Sequence, residues 1–195
     1  MRVVLASASP RRVELLKRII EDFEVVPAQV DEDAITGDNP IELATRLAEI
    51  KAGAILTTIP DALILGGDTV VALPDEHGFR YLAKPLDGDD AARMLRSLSG
   101  KTHFVVTGVA LLHRRFRSVF AETTTVTFRD LSDEEIRSYV ATGEPMDKAG
   151  AYAIQGGAAE FVDRISGSLT NVIGLPVEKL TEELQRARRE INPSK

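Results

Sequence analysis

The 195 residues are 44% hydrophobic and 28% charged, with no cysteine, no tryptophan and only seven Phe and three Tyr, a composition expected of a soluble globular protein that buries roughly 70% of its unfolded surface. The missing cysteines exclude a disulfide framework, a zinc ribbon and a thiol enzyme, while a formal charge of -6 and few aromatics argue against nucleic-acid polymers but not against a small phosphorylated ligand. No run approaches the roughly 20 apolar residues of a membrane span, and Val3-Val4-Leu5-Ala6 is too short for a signal peptide's apolar region, so a cytoplasmic protein with no membrane partner is expected.

Short apolar runs alternate with helical patterns, the signature of an α/β protein. Residues 2–6 read as a buried strand, followed by a helix from residue 10 to about residue 21 with Val13, Leu15, Leu16, Ile19 and Ile20 on one broad stripe. Residues 23–26 suggest a second strand. An acidic loop from Asp31-Glu32-Asp33 to Asp38 leads to Asn39-Pro40-Ile41-Glu42. There Asn39 as N-cap, Pro40 at N1 and Glu42 at N3 predict a helix to about residue 57. Residues 62–73 are strand-like, and the turn Pro74-Asp75-Glu76-His77-Gly78 leads to a partner strand at 79–82. A short helix at 87–97 is stopped by Gly100. Two long strands, 103–113 and 118–128, are joined by a basic turn as an antiparallel hairpin. Ser132-Asp133-Glu134-Glu135 opens another helix with a capping box, and Gly143 closes it.

Residues 144–157 are too irregular for core structure and too specific in texture for a disordered linker. A strand at 160–165 and an amphipathic helix near 176–188 complete the chain before a tail, 192–195, expected to fray. With no internal repeat, low-complexity segment or composition shift, residues 1–195 read as one domain with two lobes.

Ser7-Ala8-Ser9-Pro10-Arg11-Arg12 lies where a strand ends and a helix begins. Ser9 suits the N-cap and Pro10 suits N1, which leaves the N–H groups of the first turn to face an anion. Arg11 and Arg12 oppose the helix dipole there, so either an outside anion completes the site or the arginines pair with local acids such as Glu14. On the next helix Leu43, Leu47, Lys51 and Ile55 advance by four, which puts Lys51 on the apolar ridge. It either snorkels to the edge, the commoner outcome, or holds a buried anion.

Asp68 interrupts the apolar run Leu63-Ile64-Leu65-Gly66-Gly67-Asp68-Thr69-Val70-Val71. Inside a strand it needs a cation or hydrogen-bond donors, and Gly66 and Gly67 permit close approach of backbone or ligand. At a strand end it would face outward. Lys84, in Leu82-Ala83-Lys84-Pro85, ends the returning strand; alone it reads as a solvated lysine, but a hairpin would bring it toward the cleft of Asp68. Arg11, Arg12, Lys51 and Lys84, opposed by Asp68 and Glu32, give the balance that a metal-bound triphosphate requires. Gln155, between Ile154 and two glycines, either offers a donor and an acceptor to a base edge or satisfies loop backbone. His77, His103 and His113 lack the spacing of a metal site; the first reads as a turn residue and the others as strand ends.

Leu5-Ala6-Ser7-Ala8-Ser9-Pro10-Arg11-Arg12, Gly66-Gly67-Asp68-Thr69, Lys84-Pro85, Leu98-Ser99-Gly100 and Asp147-Lys148-Ala149-Gly150-Ala151-Tyr152-Ala153-Ile154-Gln155-Gly156 together resemble the Maf family of nucleoside triphosphate pyrophosphatases. The similarity runs from Leu5 to about Val177. It implies an elongated mixed-sheet α/β fold related to the inosine triphosphatases, with two lobes around a nucleotide cleft. It also implies hydrolysis of nucleoside triphosphates to monophosphate and pyrophosphate, in a family first associated with septum formation, and a homodimer. Asp68 matches the catalytic acid/base, and Arg11, Thr69 and Gln155 match positions linked to base selection. Residues 147–156 are similar to the branch acting on dTTP and UTP and differ from the branch acting on 7-methyl-GTP. Gly67 replaces a usual alanine and Ala83 a common glycine, both exchanges between small residues.

The expected catalytic set is Asp68, Lys51, Lys84 and Glu32; the expected substrate-binding set is Ser7, Ser9, Arg11, Arg12, Thr69 and Gln155. Mg²⁺, with Mn²⁺ as the alternative, is expected to neutralise the triphosphate with the four cations while water attacks the α-phosphorus and pyrophosphate leaves. Asp68 either activates that water or ligates the metal together with Glu32. Gln155 suits the N3–H and carbonyl edge of uracil and thymine, and a flipped amide also suits cytosine. Nothing rejects a 2′-hydroxyl, so UTP, dTTP and modified pyrimidine nucleotides are the expected substrates, in nucleotide-pool house-cleaning. The alternatives are a nucleotide-binding regulator of division without turnover and a purine sanitiser acting on ITP or XTP.

Overall fold

The computed structural model describes residues 1–32 and 34–192; Asp33 of the acidic loop and residues 193–195 of the expected fraying tail lie outside the described residues. The order begins β1 (Val3–Leu5), α1 (Pro10–Lys17), β2 (Glu24–Val25), α2 (Pro40–Leu56), β3 (Leu63–Asp75), β4 (Gly78–Leu82) and α3 (Gly88–Leu98). It continues β5 (Thr102–His113), β6 (Phe116–Phe128), α4 (Asp133–Ala141), β7 (Val162–Ser166), α5 (Leu169–Ile173) and α6 (Val177–Ile191), with three 3₁₀ turns between α4 and β7. Among the described residues no helix is long and apolar enough to cross a membrane.

The strands form a seven-stranded mixed sheet in the order β2-β1-β3-β5-β6-β7, with β4 paired to β3. β1 is parallel to β2 and β3, with Val4 opposite both Glu24 and Ile64. β4 is antiparallel to β3, with Val71 opposite Leu82, and β7 is antiparallel to β6. Residues 114–115 alone join β5 to β6, so this pair is the expected antiparallel hairpin; parallel neighbours need a long crossover.

The helix starts follow their local chemistry. Ser9 Oγ accepts from Arg12 N–H with Pro10 in the first turn, and Asn39 Oδ1 accepts from Glu42 N–H at 3.0 Å. Ser132 and Glu135 form the full capping box, and Gly143 (φ 75) ends α4. Several boundaries differ from the sequence reading. α1 stops at Lys17 because Arg18 and Ile19 donate three residues back, to Leu15 and Leu16, tightening the last turn. The predicted strand from residue 160 begins at Val162, since residues 157–161 form a 3₁₀ turn that buries Phe161. The short α5 has no counterpart in the sequence reading, and α6 runs on to Ile191.

Packing divides the chain into two units, each discontinuous in sequence. The first comprises the described residues of Met1–Asp68, Thr107–Glu122 and Gly174–Lys195; the second comprises Thr69–Val106 and Thr123–Ile173. In the first unit α2 lies flush on the sheet. A Cβ on Gly66 would stand 2.2 Å from the Ala48 carbonyl oxygen, and one on Gly108 would stand 2.2 Å from that of Ala44. Small buried side chains, Ala44, Ala48 and Ala52, line the same contact. In the second unit the core is aromatic. His103 is fully buried, its Nε2 lies 2.8 Å from Tyr152 Oη, and its ring meets Phe128 and Tyr152 edge-on. Burial lowers the pKa of His103 to about 4, and its Nδ1 has no hydrogen-bond partner among the described residues.

Two outcomes follow from these cores. Gly66→Ala drives a methyl into the backbone of α2 and is expected to cost roughly 3 kcal/mol, the upper range for overpacking, measured as a fall in the urea midpoint. His103 titrates near 6.5 when unfolded and near 4 when folded, so between these values only the unfolded chain takes the proton. Stability therefore falls as pH drops through this window, by about 2 kcal/mol between pH 7 and 5. Urea melts at the two pH values should show this extra loss in the wild type and not in His103→Gln.

Candidate active site

The strand-to-helix junction β1–α1 belongs to the first unit. Ser7 is buried, and its Oγ accepts from Ser9 N–H at 3.2 Å and from Arg12 Nη1 at 3.3 Å. Arg12 Nε donates to the Gly174 carbonyl at 2.9 Å, so the guanidinium is fixed at two of its nitrogens. No acidic residue sits in the first turn of α1, and the suggested local partner, Glu14, pairs with Arg18 at 3.5 Å. The helix start therefore presents positive charge, backbone N–H groups and a fixed arginine on the same end. Burial lowers the pKa of the Arg12 guanidinium; the charges of Asp68 and Glu32 oppose that shift, and Arg11 adds to it.

Lys51 resolves the choice left open by its place on the apolar ridge. It is 8% exposed, and its Nζ stands 2.6 Å from Asp68 Oδ1 and 2.9 Å from Glu32 Oε1. It holds two anions instead of snorkelling to solvent. The flush seat of α2 brings this about: with Gly66 against Ala48 and Ala52, the lysine stem reaches the carboxylate two residues further along β3. Asp68 keeps only 13% of its side-chain surface exposed, whereas Glu32 keeps 53% and enters from the acidic loop. Gly67 lies against the arginine: a Cβ there would be 3.2 Å from Arg12 Nε. The first unit thus gathers Ser7, Ser9, Arg11, Arg12, Glu32, Lys51 and Asp68.

Thr69, Lys84 and Gln155 belong to the second unit. Thr69 is half-buried on β3, and Lys84 is exposed just past β4. The backbone beside Lys84 is tied to the Gly-rich loop, because Gly150 N–H donates to the Ala83 carbonyl at 3.1 Å. That loop enters through consecutive left-handed residues, Gly150 (φ 73) and Ala151 (φ 59), and Gln155 is exposed on the turn that follows Tyr152. Sequence reasoning missed the Gly174 carbonyl that anchors Arg12, 162 residues away, and Gly108 as the second seat of α2. A backbone carbonyl leaves no mark in a sequence, whereas Gly108 inside an apolar strand was a readable sign of close backbone approach.

Comparison with known proteins bears on the family and the fold. Residues 2–187 match the family model described as Maf-like protein. The chain is 50% identical over 187 residues to a dTTP/UTP pyrophosphatase of Geobacter sulfurreducens, covering 95% of this chain and 96% of that one. It is 48% identical over 187 residues to a dTTP/UTP pyrophosphatase of Koribacter versatilis, covering 96% and 95%. Among solved structures, the Ham1 protein of Staphylococcus aureus aligns with a TM-score of 0.55 at 18% identity, over 96% of this chain and all of that one. A HAM1 protein from Coxiella burnetii aligns with a TM-score of 0.56 at 15% identity, over 95% and 99%. These two likenesses concern the fold, which is the expected mixed-sheet α/β class.

Lys51→Met isolates the central ion pairs, leaving Asp68 and Glu32 without their shared cation. Removing one partner of a buried pair costs roughly 3–5 kcal/mol, and the exposure of Glu32 places the expected loss near 3 kcal/mol. Chemical denaturation at pH 7 measures it.

Proposed function

Because the chain belongs to the Maf-like family, we propose that it hydrolyses dTTP and UTP, along with modified pyrimidine nucleotides, to the monophosphate and pyrophosphate. The observation that carries the reading is the buried Lys51 paired with the largely buried Asp68 and with Glu32, in the same unit as a helix start bearing Arg11 and Arg12. A binding protein for a polyanion gains nothing from a buried carboxylate in such a place, whereas a hydrolase needs a proton acceptor there.

Lys51 fixes Asp68 through Oδ1. The carboxylate accepts a proton from the attacking water as the water oxygen bonds to the α-phosphorus. The bond from that phosphorus to the bridging oxygen breaks, and pyrophosphate leaves with the electron pair. Arg11, Arg12 and the N–H groups of α1 stabilise charge growing on the phosphoryl oxygens, with Arg12 held in place before substrate arrives by its bonds to Ser7 and Gly174. Lys84 adds charge toward the phosphates, and Thr69 and Gln155 act on the base, roles supported by the family resemblance.

Two carboxylates within 3 Å of one ammonium nitrogen suit a hard cation, and no cluster of three or more acidic or histidine ligands occurs among the described residues. Such a pair matches a cation that completes its shell with water and phosphate oxygens. In the alternative role of Asp68, it and Glu32 would hold Mg²⁺ or Mn²⁺, which when bound neutralises phosphate charge. Homodimerisation and a cytoplasmic location complete the proposal, the first resting on the resemblance and the second on composition.

Asp68→Asn tests the assignment cleanly, since Lys51 keeps Glu32 at 2.9 Å and the fold is expected to persist. Turnover should fall by about 10²-fold or more. Pyrophosphate release should be followed for a panel of nucleoside triphosphates, with and without Mg²⁺. Preference for UTP and dTTP is expected; preference for ITP or XTP identifies a purine sanitiser, and binding without release identifies a regulator. Near-normal turnover in a folded Asp68→Asn protein overturns the role of this residue.

A further inference from the structure

The turn that carries Gln155 is held at both ends by one pair of side chains. Ala153 N–H donates to Tyr139 Oη at 3.1 Å, and Gly157 N–H donates to Glu144 Oε2 at 3.2 Å. Tyr139 Oη in turn donates to Glu144 Oε1 at 2.8 Å, which closes a ring of three hydrogen bonds around the five residues centred on Gln155. Within the turn Gly156 N–H returns to the Ala153 carbonyl at 3.0 Å.

The pair is itself anchored. Tyr139 is 5% exposed on α4 and meets Phe161 edge-on at 5.2 Å. Glu144 follows α4 directly, its N–H donating to Thr142 Oγ1 at 3.2 Å. Burial raises the phenol's pKa, so Tyr139 stays a donor to Glu144 and an acceptor for Ala153 at neutral pH. The glycines fit the same design. A Cβ on Gly156 would stand 1.9 Å from Glu144 Oε1, and one on Gly157 would stand 3.2 Å from the Tyr139 ring. Both side chains thus lie close against the turn backbone, and a Cβ at either glycine would displace them.

We propose that Tyr139 and Glu144 are positioning residues for base selection: they fix the turn that aims Gln155 and so set the preference for pyrimidine nucleotides without touching substrate. The inference rests on the reading in which Gln155 contacts the base. An exposed glutamine on an untethered glycine turn would sample many orientations. Its amide could then meet the edge of a purine as readily as that of uracil, because the fixed direction of donor and acceptor is what discriminates.

The test compares wild type, Tyr139→Phe, Glu144→Gln, Gln155→Ala and the double variant Tyr139→Phe/Gln155→Ala. Each is assayed for kcat and KM with UTP and with ITP, with folding checked by circular dichroism and thermal melting. Tyr139→Phe removes one hydroxyl and keeps the buried ring, so it preserves the packing against Phe161. The expected result is a drop of about tenfold in the UTP-to-ITP ratio of kcat/KM for Tyr139→Phe and Glu144→Gln, expressed in KM for UTP with kcat little changed. The double variant should discriminate no worse than Gln155→Ala, because the tether acts through that side chain. If Gln155→Ala lowers discrimination but Tyr139→Phe and Glu144→Gln do not, the positioning role is overturned while the base-reading role of Gln155 stands. If Gln155→Ala leaves discrimination unchanged, the base-reading role itself fails and the proposal falls with it.

Discussion

An ammonium group buried on the apolar ridge of a helix is unstable unless anions meet it, and this requirement organises the first unit. Lys51 stands where a leucine or isoleucine would continue the row of Leu43, Leu47 and Ile55, and it is as buried as Ile55 and more buried than Leu43. Asp68 and Glu32 converge on its nitrogen and offset the cost of burying it. The convergence depends on backbone contact. If Gly66 or Gly108 carried a Cβ, α2 would lift from the sheet, and the ion pairs would lengthen before any catalytic side chain had changed. Small residues in the sheet are therefore part of what positions the proposed reaction centre, although none of them carries a functional group.

The same constraint accounts for the contrast between total and local charge. The chain is acidic as a whole, with a formal charge of -6, yet the group formed by Arg11, Arg12, Lys51, Glu32 and Asp68 has one more cation than anion. An excess of a single charge holds a polyanion loosely unless a metal ion adds to it. Both carboxylates already face one ammonium, which offsets their mutual repulsion. Overall negative charge repels nucleic-acid polymers, whose recognition depends on an extended basic surface, while one triphosphate needs only this local excess.

Legibility in the sequence tracked the range of the physics. Caps are local, and Ser9, Asn39 and Ser132 were each readable from their neighbours. The length of α1 was not, because Ile19 and Ile20 continue the apolar stripe although the backbone has already tightened at Arg18 to lead the chain into β2. Phe161 suggested a strand, but its burial comes from the rings of Tyr139 and Phe128 and not from a sheet ladder. The five residues of α5 are too few for a period, and their anchor is Asn171, whose amide reaches Val105 O and Thr124 Oγ1. Periodicity located Lys51 on the ridge without revealing what lay opposite; that partner, 17 residues on, is a tertiary fact. The family motifs brought the candidate residues onto one list, and the geometry then separated them into two packed units.

That separation has a chemical logic. Hydrolysis at an α-phosphorus is the same for every nucleoside triphosphate, so the residues that perform it need not change when the preferred base does. Of the residues proposed for it, Arg11, Arg12, Lys51 and Asp68 lie in the unit whose core includes Val4, Ala48, Ala52, Ile55 and Ile64, and Lys84 lies in the other. The loop with Gln155 belongs to the other unit and packs on a different core, built on Phe128, Tyr139, Tyr152 and Phe161. The boundary falls between consecutive residues, Asp68 and Thr69, so the backbone of β3 is the covalent link between the carboxylate and the first residue assigned to the base. Under the proposed roles, repacking around Tyr139 and Glu144 alters which nucleotide is favoured while the Lys51 ion pairs keep their seat on Gly66, so specificity drifts in one core without dismantling the ion pairs of the other.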